Sequence, residues 1–396
     1  MPGAARGRLS VVADRNVAYV EQAFAALGAT RCEVRPLPSR EIDAAAVRDA
    51  DLLLLRSTVK VGPALLDGSR VRFVATATIG TDHLDLDYLD ARGIRWAAAP
   101  GSNAPSVAQW FATALLVLAA RKGLRLAGLT AGVVGVGNVG RRVAAVLEAL
   151  GCEVLLCDPP RAQTEGPAGF VTLDELCAAA DLVTLHVPLT SSGPDATVRL
   201  FDADRIARLR PGAWLVSSCR GPVVDGAALV EAKRAGGIGA AILDVYDGEP
   251  NPSPALVDAA DLATPHIAGH SLDGKAAGTL AVYQAACAFL GEKPTWTPRR
   301  ALPPLAPAAL AIDARTLDDQ AAALAVLRRF YDVERDDAAL RAIGRLPDAQ
   351  RGGAFQRYRD EYPERREPIG VSVQLRPPRS RAAALLASLG AVIRDD

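Results

Sequence analysis

The stretch Ala131–Val143, AGVVGVGNVGRRV, decides how the rest of the chain is read. A short apolar run ends at Val134, glycines follow at Gly135, Gly137 and Gly140, and a segment of helical period opens behind them. Strand, tight turn and helix are the implied elements, and each glycine has its own reason. Gly135 lets the chain turn sharply. Gly137 lets a phosphate group approach the backbone, with the peptides around Asn138 and Val139 holding it. Gly140 lets the helix pack against the strand. The helix start then offers unpaired N–H groups and a positive dipole end to an anion. Three glycines alone are a weak signal, but the context strengthens it: a second apolar run, Glu153–Cys157, follows and leads into Asp158. An acid there accepts hydrogen bonds from adenosine ribose hydroxyls and repels a 2′-phosphate, which selects NAD over NADP. Arg161, close by, softens that preference.

Outward from this motif the same rhythm continues. Upstream, LSVVAD, DLLLLRS, VRFVATATIG and IRWAAAP are apolar runs of strand length separated by helical or turn-rich segments, as in a parallel sheet. The segment SVAQWFATALLVLAARKG predicts a long buried helix capped by Asn103 or Ser106. Its apolar part, Trp110–Ala120, is too short to span a bilayer. Downstream, DLVTLHVP, GAWLVSSCRG, GIGAAILDVYDGEP and DLATPHIAGH extend a second, doubly wound sheet. After Gly291 the prolines of EKPTWTPRRALPPLAPA read as a stiff linker. The fold expected is α/β: two Rossmann-like parallel-sheet domains with a cleft between them, plus a small α+β C-terminal domain. Residues 1–102 and 283–292 are assigned to a substrate-binding lid domain and 103–282 to an NAD-binding domain. Residues 293–308 form the linker and 309–396 the C-terminal domain. The chain is expected to cross between the first two near Gly101 and again near Tyr283.

Composition narrows the function. The 396 residues carry 45 Lys and Arg against 45 Asp and Glu, a balance that argues against a nucleic-acid coat or a polybasic membrane surface. The six cysteines are scattered with no CxxC pair, which reads as thiols in a reducing compartment. The N-terminal segment lacks the apolar stretch of a secretory leader, so a cytoplasmic location is expected. The chain has four histidines, two of them in Thr264-Pro-His-Ile-Ala-Gly-His270. Metal ligation would need further ligands at suitable spacing, and no Cys or His cluster supplies them, so no metal is expected.

In an open α/β sheet, ligands bind beyond the carboxyl ends of strands. Four side chains are placed there by the strand pattern: Arg220 after AWLVSSC, Asp244 and Glu249 after AAIL, and His266 after DLATP. Alone, Arg220 reads equally as half of a surface ion pair, Glu249 as a solvated turn acid, and either histidine as a buried structural one. Together, Arg220, Glu249 and His266 make an anion binder, an orienter and a base, the set needed to oxidise an alcohol beside a carboxylate. Near the end of DLLLL, Arg56, Ser57 and Lys60 are suited to a dianionic phosphate.

The glycine motif with Asp158, followed in order by Arg220, Glu249 and His266, resembles the D-2-hydroxyacid dehydrogenase superfamily. That resemblance implies that Arg220 holds the substrate carboxylate, His266 is the acid–base group and Glu249 pairs with it. Around NAD it implies Val187, Ser218, Cys219, Asp244 on the carboxamide, and Gly269 at a close approach. LLRSTVKV, VATATIGTDHLD, AAPGSNA, SCRGPVVD, HIAGHSLDGKA, FYDVERDDAALR and YPERRE are similar to one branch. Its members act on a small phosphorylated hydroxyacid and carry a C-terminal dimerisation domain. Ser57, Thr78 and His270 become substrate contacts, and a homodimer is implied. Arg365 or Arg366 then becomes a candidate to enter the partner's site. The branch usually has Tyr where this chain has His270, and Thr where it has Val187. Two other readings stay open: a different 2-hydroxyacid dehydrogenase, such as one acting on 3-phosphoglycerate, and a non-catalytic NAD-sensing scaffold.

Overall fold

The computed structural model describes residues 8–28 and 31–394. Met1–Gly7, part of the segment read above for a leader, lies outside the described residues. The chain divides into two compact units, Met1–Asn103 with Ser271–Pro304, and Ala104–His270 with Leu305–Asp396.

The first unit is built on a five-stranded parallel sheet: β1 (Leu9–Asp14), β2 (Cys32–Leu37), β3 (Leu52–Leu55), β4 (Phe73–Thr76) and β5 (Arg95–Ala97), ordered β2-β1-β3-β4-β5. β3 is an unbroken run of four leucines because both of its faces are covered. Leu52 and Leu54 pack with Val11, Phe73 and Tyr283, while Leu53 and Leu55 pack with Val12, Val74 and Leu89. β2 was not expected from sequence, since Pro36 interrupts it. It is an edge strand, where a missing N–H is tolerated. The helix Leu272–Leu290 packs on this sheet, with Gly278 pressed against the Ala77 carbonyl. The chain therefore re-enters the first unit at Ser271, ahead of Tyr283.

The second unit holds a six-stranded parallel sheet of β6 (Thr130–Val134), β7 (Glu153–Cys157), β8 (Leu182–Leu185), β9 (Ala213–Ser217), β10 (Ile238–Leu243) and β11 (Leu262–Ala263). Its order is β11-β10-β9-β8-β6-β7. β6 lies between β7 and β8, so the strand order reverses there, at the carboxyl end where the glycine loop begins. The loop geometry matches the separate roles of its glycines. Gly135 has φ +84°, and a Cβ there would meet the His186 carbonyl at 2.7 Å. A Cβ on Gly140 would lie 1.9 Å from the Gly135 carbonyl oxygen, so only glycine lets the helix Gly140–Ala149 start that close. A Cβ on Gly137 would meet nothing within 4 Å.

The helix Ala104–Lys122 is buried at every position from Ser106 to Ala119. A helix apolar all round needs cover on all sides. The sheet supplies one side, and the C-terminal residues supply another: Ala322, Leu324 and Leu327, with Leu385 and Leu386, share one core with Trp110, Leu116 and Val146. Ser106, a proposed cap, lies inside this helix, and its hydroxyl donates to Glu367 Oε1 at 2.6 Å. The C-terminal residues also form a three-stranded parallel sheet of β12 (Ala309–Asp313), β13 (Ser372–Arg376) and β14 (Val392–Ile393), ordered β12-β13-β14. β12 was not expected, because the prolines before it read as linker. The helix Asp348–Asp360 ends just before YPERRE and does not continue through it. Pro363 disfavours helical backbone at Tyr362.

The glycine contacts set a stability order. Gly140→Ala forces the helix off the strand and is expected to cost about 2 kcal/mol or more, whereas Gly137→Ala stays within about 1 kcal/mol. Thermal unfolding of the two variants measures this, and equal midpoints would contradict it.

Candidate active site

Arg220, Glu249 and His266 follow β9, β10 and β11, which are neighbours in the sheet. Of these, the structure places Glu249 and His266 in direct contact: His266 Nδ1 lies 2.6 Å from Glu249 Oε2. Glu249 Oε1 accepts the Tyr246 N–H at 2.9 Å, which fixes the carboxylate plane. Burial pushes the Glu249 carboxyl up, but the His266 hydrogen bond and charge, the Tyr246 N–H and the Arg359 guanidinium outweigh it, so the group lies below its usual range. An ionised carboxylate only accepts, so Nδ1 carries the proton and donates it. Nε2 is then the lone-pair nitrogen of neutral His266, the atom able to take a proton from a substrate hydroxyl.

His266 stands in left-handed backbone, with φ 55°. That conformation is uncommon outside glycine and persists where the surroundings over-determine it. The restraints are visible. Asp244 is 1% exposed, and its Oδ1 accepts the Thr264 hydroxyl at 2.6 Å and the Ile267 N–H at 2.8 Å. Its Oδ2 accepts the Ala268 N–H at 2.9 Å. Burial pushes the Asp244 carboxyl up to about 6, against the His266 charge and these hydrogen bonds. Trp110 Nε1 donates to Thr264 Oγ1, and the Tyr246 hydroxyl donates to the Thr264 carbonyl. Asp244 was assigned to the nicotinamide carboxamide. The structure shows it bracing the His266 loop, with acceptor capacity left beyond the three bonds it makes.

Asp158 likewise has a local task. Its Oδ2 accepts the Val136 N–H of the glycine loop at 2.8 Å, and its Oδ1 caps the helix Pro159–Glu165 through the Arg161 N–H. Arg161 folds back, giving Nη1 to the Val136 carbonyl and pairing with Glu165. Val187 packs at the strand-order reversal, beside Gly135. His186 is pushed down to about 3 by burial and meets the Thr184 hydroxyl at 2.9 Å, so it stays neutral. Arg220 gives Nη1 to the Cys219 carbonyl. Cys219 is buried, its thiol pushed up by burial. Gly269 is half-buried, as is His270, whose ring stands edge-on to Tyr362.

Two observations fit a dinucleotide. The space above Gly137 is open, and the buried Ser218 Oγ has no hydrogen-bond partner. Among the described residues, no group of three or more His, Cys, Asp or Glu could hold a metal ion.

In the first unit, Arg56, Ser57 and Lys60 follow β3 and Thr78 follows β4, again neighbouring strands. Ser57 and Lys60 are exposed. Thr78 is half-buried and bonded to Thr76 Oγ1 and the Gly80 carbonyl.

Sequence reasoning missed the contributions of Arg359 and Arg365 to the His266 loop. Arg359 Nε donates to the His266 carbonyl at 3.3 Å. Arg365 is 3% exposed, gives Nη2 to the Ala268 carbonyl at 2.6 Å and the Ser106 carbonyl at 3.0 Å, and stacks over Tyr331. Arg366 is half-buried, and its carbonyl accepts the Gln109 side chain at 3.1 Å.

Residues 107–268 match the NAD binding domain of the D-isomer specific 2-hydroxyacid dehydrogenases, and residues 302–390 match a domain of unknown function. The erythronate-4-phosphate dehydrogenase of Salinibacter ruber is 50% identical, covering 91% of this chain and 92% of its own. That of Stutzerimonas stutzeri is 46% identical over 97% and 99%. Among solved structures, the TT0316 protein of Thermus thermophilus is 30% identical and superposes with a TM-score of 0.60, covering 72% of this chain and 98% of its own. The D-lactate dehydrogenase of Aquifex aeolicus, complexed with NAD and lactic acid, is 25% identical with a TM-score of 0.57, covering 71% and 95%. No helix among the described residues is long and apolar enough to cross a membrane. With its sheet order, its glycine loop and this degree of identity over nearly its full length, the chain belongs to the erythronate-4-phosphate dehydrogenase family, within the D-isomer specific 2-hydroxyacid dehydrogenases.

Proposed function

We propose that the protein oxidises the C2 hydroxyl of 4-phospho-D-erythronate to 2-oxo-3-hydroxy-4-phosphobutanoate, on the route to pyridoxal 5'-phosphate. The observation that carries this reading is the 2.6 Å pair of His266 and Glu249 in a chain half identical to a curated erythronate-4-phosphate dehydrogenase. NAD, held by the Gly135–Gly140 loop with Asp158, Val187, Ser218, Cys219, Asp244 and Gly269, supplies the acceptor for the hydride leaving C2. His266 Nε2 takes the hydroxyl proton. The resulting imidazolium donates through Nδ1 to a Glu249 carboxylate that stays ionised, so the new positive charge meets a fixed negative one. The Arg220 guanidinium binds the C1 carboxylate, for which its planar fork is suited. Arg56, Ser57 and Lys60 take the phosphate, and Thr78 and His270 contact the substrate chain.

The six cysteines are all free and five of them are buried, which suits a reducing, cytoplasmic setting. We propose a homodimer formed through the C-terminal residues. One side of β12 is exposed at Ala309, Ala311 and Asp313, and on the side of the opposite edge strand β14 Ile369 and Val392 are exposed apolar side chains. Sedimentation velocity is expected to give twice the 41.4 kDa chain mass, and a single-chain mass at micromolar concentration would refute the dimer.

NAD reduction with 4-phospho-D-erythronate is expected to exceed that with erythronate about a hundredfold or more in kcat/KM, because a site built for a dianion leaves its cations unpaired without one. Equal rates would sink the substrate assignment. His266→Ala is expected to lower kcat about a thousandfold and Glu249→Gln about a hundredfold, with NADH binding, read by fluorescence, within about threefold of the parent. Turnover near the parent value in His266→Ala would remove it as the base.

A further inference from the structure

The loop from Thr264 to Ala268 lies between two opposite charges. On one side the Asp244 carboxylate accepts the N–H groups of Ile267 and Ala268. On the other, guanidinium groups donate to the carbonyls: Arg365 to Ile267 and Ala268, and Arg359 to His266. Consecutive peptide units are thus held with their donors toward an anion and their acceptors toward cations, an arrangement that resists rotation about φ and ψ. This is the same loop whose His266 sits at φ 55°.

The cations come from a different part of the chain than the sheet does. Arg359 ends a C-terminal helix, and Arg365 lies in the irregular stretch that follows it. That stretch is itself fixed to the buried helix Ala104–Lys122. Glu367, 2% exposed, accepts the Ser106 hydroxyl at 2.6 Å, and the Arg366 carbonyl accepts the Gln109 side chain. At its start, the Tyr362 hydroxyl donates to Asp336, which is fully buried, at 2.6 Å. Among the described residues, the hydrogen-bond acceptors of Arg365 are backbone carbonyls, and its guanidinium stacks over the Tyr331 ring at 4.5 Å. A buried guanidinium spent on carbonyls does little for stability that an apolar side chain could not do. It does fix where those carbonyls are.

We propose that Arg365, assisted by Arg359, is a positioning residue for the reaction: from the C-terminal segment of the same chain it holds the loop that aims His266 at the substrate. The proposal rests on the reading of His266 as the base. A reacting nitrogen displaced by about an ångström costs on the order of a hundredfold in rate while leaving much of the binding intact.

The test uses the full chain with Arg365→Met and Arg365→Lys. Arg365→Met is expected to lower kcat about a hundredfold with substrate KM and NADH affinity within about threefold, and Arg365→Lys, which restores a donor cation, to recover about tenfold of that loss. A second readout needs no substrate: the low-field proton resonance of the His266–Glu249 hydrogen bond, assigned by its absence in His266→Ala, is expected to shift or broaden in Arg365→Met. A folded Arg365→Met enzyme with kcat within threefold of the parent, or an unshifted resonance, overturns the proposal. Should Arg365→Met not fold, Arg359→Gln decides, with about a tenfold fall in kcat at unchanged KM expected and parental turnover overturning it. If the parent fails to oxidise 4-phospho-D-erythronate, the functional reading fails, while the resonance still decides the positioning role.

Discussion

Asp244 sits at the carboxyl end of β10, sealed from solvent, and gives both oxygens to the backbone and hydroxyl of a loop on the next strand. A buried carboxylate without partners would be costly, so this one is tolerable only because the loop closes on it. The dependence runs both ways. The loop departs from ordinary backbone at His266, and such a departure needs surroundings that permit no alternative. From this mutual requirement follows the geometry that matters: an imidazole with one nitrogen fixed against Glu249 and the other left for chemistry.

The glycine loop obeys the same logic with different materials. Its shape is set by excluded volume: atoms that would collide at Gly135 and Gly140, and open space at Gly137. Asp158 then ties the loop to the following strand through the Val136 N–H. Each of these carboxylates therefore has a bracing task within the fold, alongside any task toward a ligand. A substitution at either position changes the shape of its site along with the chemistry.

Much of this was legible in the sequence, and the reasons are local. The glycine spacing reports a steric requirement that few other folds share, and Arg220, Glu249 and His266 could each be placed beyond a strand of one domain from the apolar runs alone. The four leucines of β3 announce a strand covered on both faces. What stayed hidden had no local signature. β2 carries Pro36 and reads as a break until its edge position is known, and β12 emerges from prolines that suggest a linker. Arg359 and Arg365 reach the His266 loop through backbone carbonyls, which every residue has, so the sequence offers no motif that points to them. Ser106 resembles a cap and is a buried partner of Glu367, some 260 residues away.

The helix Ala104–Lys122 has a consequence for the way the polypeptide is made. A ribosome releases it together with the sheet it lies on, long before the residues around Leu324 and Leu385 that complete its cover. Between those moments a greasy surface stands open to the cell. Nascent chains in that condition invite chaperones and mispairing, so the last quarter of the gene governs how safely the first three quarters mature.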